Sequence, residues 1–126
     1  MPIEYEWYDD QRTIVLTYWP ERWTVEDVLD TDPLMISYLD LVDHPVYQII
    51  IFSSGFIPSK VLTSLPQMAN LEQFQHPNHA GNVLVGTPRV LATIADIFSK
   101  VYRRIDFADD LAQAVDIAYQ RLGESK

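Results

Sequence analysis

Cysteine is absent from the 126 residues, which removes a disulfide framework, a thiol nucleophile and thiolate metal ligation at once. Glycine occurs only four times, and no Gly-x-Gly-x-x-Gly nucleotide fingerprint is present. The run Ser53-Ser54-Gly55-Phe56-Ile57-Pro58-Ser59-Lys60 sets Ile57-Pro58 where a phosphate loop needs free backbone amides. No apolar run approaches the roughly 18 residues that span a bilayer, and Met1 to Glu6 lacks the basic and apolar regions of a signal peptide. The expectation is a cytoplasmic chain with no stable membrane insertion. Basic residues are scarce at one end. Positions 1–45 hold eleven of the eighteen acids against Arg12 and Arg22, a net of −9, whereas positions 46–126 hold seven acids and seven bases. That charge makes nucleic acid a poor partner. The acids read first as a solvated face that aids solubility, with a docking face for a basic partner as the sharper reading.

What is present is ordinary globular material. With 48% hydrophobic and 21% charged residues, the chain suits a single domain over 1–126 that can bury a core. Glu4 to Tyr8 and Thr13 to Tyr18 alternate or carry β-branched and aromatic residues around the polar turn Asp9-Asp10-Gln11-Arg12, an antiparallel hairpin at a sheet edge. Thr24 is a helix N-cap with Asp27 three residues on, and Trp23 and Val28 stand as a hydrophobic staple. Val25, Leu29, Asp32, Ile36 and Leu39 share one face, which predicts a single helix from Thr24 to about Leu41, kinked at Pro33. Asp32 as a second N-cap, with Pro33 at the first helical position, is the alternative.

Val46 to Phe52 is nearly continuous in apolar residues, as in a strand covered on both faces. It empties into the Ser/Gly/Pro loop and a helix opening near Ser59, interrupted at Pro66. Gln75 to Gly81 reads as a loop, Asn82 to Gly86 as a short strand, and Thr87-Pro88 as the start of a third helix. Ile105 to Phe107 is a minimal strand before a last helix capped by Asp109 and stopped by Gly123. The order β-β-α-β-α-β-α-β-α predicts an α/β fold: a mixed, mostly parallel sheet with an antiparallel N-terminal edge hairpin and about four helices.

Reactive constellations are weak. His76-x-x-His79 straddles Pro77 with no carboxylate close by, so both read as surface-loop histidines and no metal site is expected. Ser53-Ser54-Gly55 lacks the Gly-x-Ser-x-Gly turn that exposes a nucleophile. The pairs Asp9-Asp10 and Asp109-Asp110 have structural uses in a turn and at a helix start. The chain is read as non-enzymatic, with no catalytic residue and no cofactor. The aromatics Tyr5, Trp7, Tyr8, Tyr18, Trp19 and Trp23 read as packing, with a contact surface or a homodimer seam at the Trp7 edge as alternatives.

The hairpin, the Trp23-Thr24 helix entry, Asp43-His44-Pro45 before a buried strand, and Ile97-Phe98-Ser99-Lys100 before a short strand and final helix resemble the SpoIIAA-like group of STAS domains. The resemblance spans nearly the whole chain. It implies a bacterial signalling regulator similar to an anti-sigma factor antagonist, whose partner is an anti-sigma factor or kinase-like protein. In that family a kinase phosphorylates a serine in an Asp-Ser-Ser-Gly-type segment at a helix start, and the added charge blocks docking. Here Ser53-Ser54-Gly55 matches by letters, but Phe52 stands in place of the aspartate. Ser59 matches by position and is followed by Lys60 in place of a second serine; as a plain alternative, Ser59 is only a helix N-cap. The expected phospho-acceptor or docking residues are therefore Ser59, Ser53 and Ser54, with Gly55, Phe56, Ile57 and Lys60 as partner or ligand contacts. A second implication is a small-molecule or lipid carrier, with Gly55, Phe56, Ile57, Phe98 and Tyr102 lining an apolar pocket.

Overall fold

Two chemical signals start the first helix. In the computed structural model, which describes residues 3–53, 63–64, 67, 71–86 and 105–124, α1 spans Val25–Asp40. The Thr24 side chain accepts the Asp27 N–H at 3.0 Å, and the Asp27 carboxylate accepts the Thr24 N–H at 2.9 Å. This capping box satisfies two backbone donors that the first turn leaves open. The helix runs through Pro33 without a break, so Asp32 and Pro33 do not start a second helix.

The strands are β1 (Glu4–Trp7), β2 (Ile14–Trp19), β3 (Val46–Phe52), β4 (His79–Val85) and β5 (Ile105–Ala108). They lie in sequence order in one sheet. β1 is antiparallel to β2, and β2 through β5 are parallel. A mixed, mostly parallel α/β sheet with an antiparallel edge hairpin is thus the architecture. The described residues hold two α-helices, α1 and α2 (Leu111–Glu124). The helices expected after Ser59 and Thr87 fall mainly outside them, although Thr63, Ser64 and Gln67 are helical.

Alternation along the central strands divides the core in two. Ile14, Leu16, Tyr47, Ile49, Val83 and Val85 pack with Ala114, Val115 and Ala118 of α2. On the opposite face Val15 and Val46 pack with Met35 and Leu39 of α1. Near the carboxyl ends of the strands, Trp19, Ile50, Phe52 and Leu84 pack with Trp23, Val28 and Leu71.

Four boundaries differ from the sequence reading. β4 begins at His79 rather than Asn82, because Asn78 O accepts the Val46 N–H at 2.7 Å and draws this segment alongside β3. A 3-10 helix occupies Glu72–Gln75. Asp110 rather than Asp109 accepts the Gln113 N–H, at 2.9 Å, at the start of α2. That helix continues past Gly123 to Glu124.

Candidate functional site

The carboxyl ends of parallel strands are where open α/β sheets bind their ligands. Here β2 and β3 end in an aromatic cluster. The Trp19 and Trp23 ring centroids lie 4.4 Å apart and edge-on, and Phe52 stands 4.9 Å from Trp19. Gly86 leaves β4 at φ +70, a left-handed conformation that a side chain disfavours, and an added Cβ would stand 3.2 Å from the Phe52 carbonyl oxygen.

Ser53 follows directly from β3 and is exposed, with its hydroxyl donating to the Trp19 carbonyl at 2.7 Å. A nucleophilic serine hydrogen-bonds to a base that can take its proton; this hydroxyl donates instead to a backbone carbonyl and ties β3 to β2. Ser54, Gly55, Phe56, Ile57, Ser59 and Lys60 lie outside the described residues, as do Phe98 and Tyr102.

A second feature lies on the α1 side of the sheet, and it is polar. Thr17, Gln48 and Asn82 occupy adjacent central strands and are almost fully buried, as are Gln73, His79 and Asp32. Gln48 Nε2 donates to Thr17 Oγ1 at 2.8 Å. His79 Nδ1 stands 3.0 Å from the Gln73 carbonyl and Nε2 3.0 Å from the Asn82 side chain. A carbonyl only accepts, so Nδ1 donates to Gln73, while the Asn82 atom that faces Nε2 is the amide oxygen Oδ1.

His79 is therefore no surface-loop histidine. It is 0% exposed, because the register shift between Val46 and Tyr47 carries it into the sheet and under the chain from Gln73. His76 is half-buried, with Nε2 2.7 Å from Asp40. Among the described residues, no group of three or more His, Asp or Glu is arranged to hold a metal ion.

Asp32 joins this polar layer to the surface. Its Oδ1 accepts the Gln73 N–H at 3.2 Å and Gln73 Nε2 at 3.0 Å, and its Oδ2 accepts the Glu72 N–H at 3.2 Å. The carboxylate thus anchors the start of the 3-10 helix, as an N-cap residue would from within the same segment. Asn78 Nδ2 completes the clamp by donating to the carbonyls of Leu39 at 3.1 Å and Val42 at 2.9 Å, at the end of α1. Burial raises the Tyr5 hydroxyl above its ordinary range, and the charges of Asp32 and Tyr38 add to that against a hydrogen bond with Thr31.

Between α1 and this clamped segment lies an open groove of about 550 Å³, lined by Leu29, Asp32, Pro33, Gln67, Leu71 and Glu72. Leu71 also packs in the Trp19–Phe52 cluster, so the groove floor continues into the carboxyl edge of the sheet. Sequence reasoning placed Asp32 on the inner face of α1 but missed its partners. The available signal was polar: one aspartate in an apolar helix stripe, and Thr17, Gln48 and Asn82 among apolar strand positions. No helix among the described residues is long and apolar enough to cross a membrane. Compared with family models, curated proteins and solved structures, the chain finds no match in any of the three.

Proposed function

We propose that this is a non-enzymatic, protein-binding regulatory domain of STAS-like fold, similar in role to an anti-sigma factor antagonist. The observation that carries the reading is on α1. Leu34 in α1 and Leu41 at its C-cap stand seven residues apart, 46% and 62% exposed, and the same helix exposes the acids Glu26, Asp30 and Asp40. Apolar anchors within a charged rim are the anatomy of a protein interface, and this pair has that form. Strands running in sequence order beside an antiparallel edge hairpin support the fold assignment. The Ser53 hydroxyl, committed to a backbone carbonyl, supports a binding role over a hydrolytic one. Ser59, backed by Ser53 and Ser54, is the charge-sensitive docking point that the family resemblance implies.

The test is retention of a partner from the native host by immobilised wild type, Leu34→Asp/Leu41→Asp, Ser59→Asp and Ser59→Ala proteins. One protein held by wild type and Ser59→Ala, and lost with the double leucine variant and with Ser59→Asp, is the expected result. A partner held equally by all four removes both α1 and Ser59 from the interface.

A further inference from the structure

The sheet leaves one side of β1 open. In the antiparallel register Trp7 stands opposite Val15, and the Tyr8 N–H that follows donates to the Ile14 carbonyl at 2.9 Å. Peptide groups alternate in direction along a strand, so Glu4 and Glu6 also turn theirs toward β2, and Tyr5 and Trp7 turn theirs away. The Tyr38 hydroxyl agrees with that direction, since it reaches the Tyr5 carbonyl at 3.1 Å. β1 ends the sheet, and among the described residues no strand takes the outward N–H and carbonyl of Trp7. Such an edge is a template for one more strand.

The two faces of that edge differ in chemistry. Tyr5 and Trp7 lie on the α1 face, with ring centroids 5.8 and 5.5 Å from that of Tyr38, and all three rings are only partly buried. Leu34, one turn before Tyr38 on α1, is exposed as well. On the opposite face Glu4 and Glu6 are exposed, and Glu6 accepts the Tyr18 hydroxyl at 2.8 Å. A strand laid along β1 therefore meets aromatic rings on one face and carboxylates on the other.

We infer that β1 accepts an extended segment of a partner protein, antiparallel to it, in which basic and apolar side chains alternate. The apolar side chains lie opposite Tyr5 and Trp7, against Tyr38, and the basic ones lie opposite Glu4 and Glu6. Main-chain hydrogen bonds hold the added strand, and the cross-strand pairs select it. A second copy of this chain fits poorly. Antiparallel β1 strands centred on Tyr5 set Glu4 of each against Glu6 of the other; centred on Glu6, they set the two Glu6 side chains together. The net charge of −9 on residues 1–45 likewise repels a copy and draws a basic segment at longer range. The inference rests on the protein-binding reading and adds the form and charge of the partner's segment.

The experiment is an amide NMR titration of the whole chain with an end-capped Lys-Val-Lys-Val-Lys peptide, against Glu-Val-Glu-Val-Glu. Saturable shifts at residues 4–8 and 38 with the lysine peptide, and none with the glutamate peptide, are expected. Methylating both valine backbone nitrogens removes the N–H groups that face β1, so it should abolish binding with the charge unchanged. Methylating the lysine backbone nitrogens, which face away, should leave binding intact. Glu4→Gln/Glu6→Gln should weaken the peptide roughly fivefold, as loss of two exposed charges does. Equal shifts with the glutamate peptide, shifts elsewhere, or undiminished binding after valine methylation would overturn the inference. So would concentration-dependent shifts at residues 4–8 in the free chain, which would give the edge to a second copy. A host partner retained equally by wild type and the double glutamine variant, and not displaced by the lysine peptide, overturns the edge and leaves the regulatory reading standing. Strand addition without any retained partner does the reverse.

Discussion

Asp32, midway along α1, accepts two hydrogen bonds from Gln73, one from its backbone N–H at 3.2 Å and one from its side chain at 3.0 Å. Forty-one residues separate the two in sequence. The pair joins the helix over one face of the sheet to the chain that leads into β4.

Replacing Asp32 by alanine leaves the Glu72 and Gln73 donors without their acceptor in a buried place. The expected loss is about 2–3 kcal/mol of stability, read as a lower urea midpoint. Asp32→Asn keeps one acceptor oxygen and should lose less. Equal stability of wild type and Asp32→Ala would show that the clamp contributes nothing.

Pro33→Ala should stabilise the chain. A proline within a helix costs about 3 kcal/mol against alanine, while proline stiffens the unfolded chain by up to about 1 kcal/mol, so a net gain of roughly 1–2 kcal/mol is expected. Differential scanning calorimetry reads it as a higher Tm. An unchanged or lower Tm would mean that the surrounding packing is built around the proline ring.

Gly81 pairs with Tyr47 across β3 and β4, and a Cβ there would stand 2.6 Å from the tyrosine ring. The ring is 1% exposed and has nowhere to move. Gly81→Ala should therefore destabilise by about 1–3 kcal/mol, the ordinary cost of overpacking. Combined with Tyr47→Leu it should cost less than the sum of the two single changes. Strict additivity in a double-mutant cycle would refute the contact.

Acid should loosen the link between the first hairpin and α2. The Asp9 carboxylate accepts the Thr13 N–H at 2.8 Å, the Thr13 hydroxyl, and the Tyr119 hydroxyl at 3.0 Å. Burial pushes its pKa up, but these hydrogen bonds outweigh burial and hold it below the ordinary 3.8. A folded-state value below the unfolded one gives stability that is complete above the ordinary carboxylate range and lost as pH falls through the folded value. Urea midpoints from pH 6 downward should fall less steeply for Asp9→Asn than for wild type. Parallel curves would place the acid sensitivity elsewhere.

The local signals were readable where one stretch of chain contains both partners of an interaction. Thr24 and Asp27 lie three residues apart, so the capping box and the start of α1 follow from spacing alone. The turn at Asp9 to Arg12 and the apolar run Val46 to Phe52 were legible for the same reason. His79 was not. As one residue in a Pro- and Asn-containing stretch it looks like a loop, and only pairing with Val46, thirty-three positions earlier, carries it into the sheet. Of the residues expected at the β3 loop, Ser53 alone is described, and its hydroxyl faces a carbonyl that no sequence pattern assigns to it.

The 3-10 helix went unread and a second helix start at Pro33 stayed open, but the order of the strands and of α1 and α2 and the acidic bias of the first helix were legible in the sequence alone. These depend on periodicity, composition and caps, which act over a few residues. Tertiary structure decided which polar side chains share a buried layer and where a groove opens. Asp32 becomes an anchor only because Gln73 arrives beside it, and Leu29 and Pro33 come to line a groove only because Leu71 and Glu72 form its other side. Contacts between residues forty positions apart follow from how the sheet and helices pack, which local pattern leaves open.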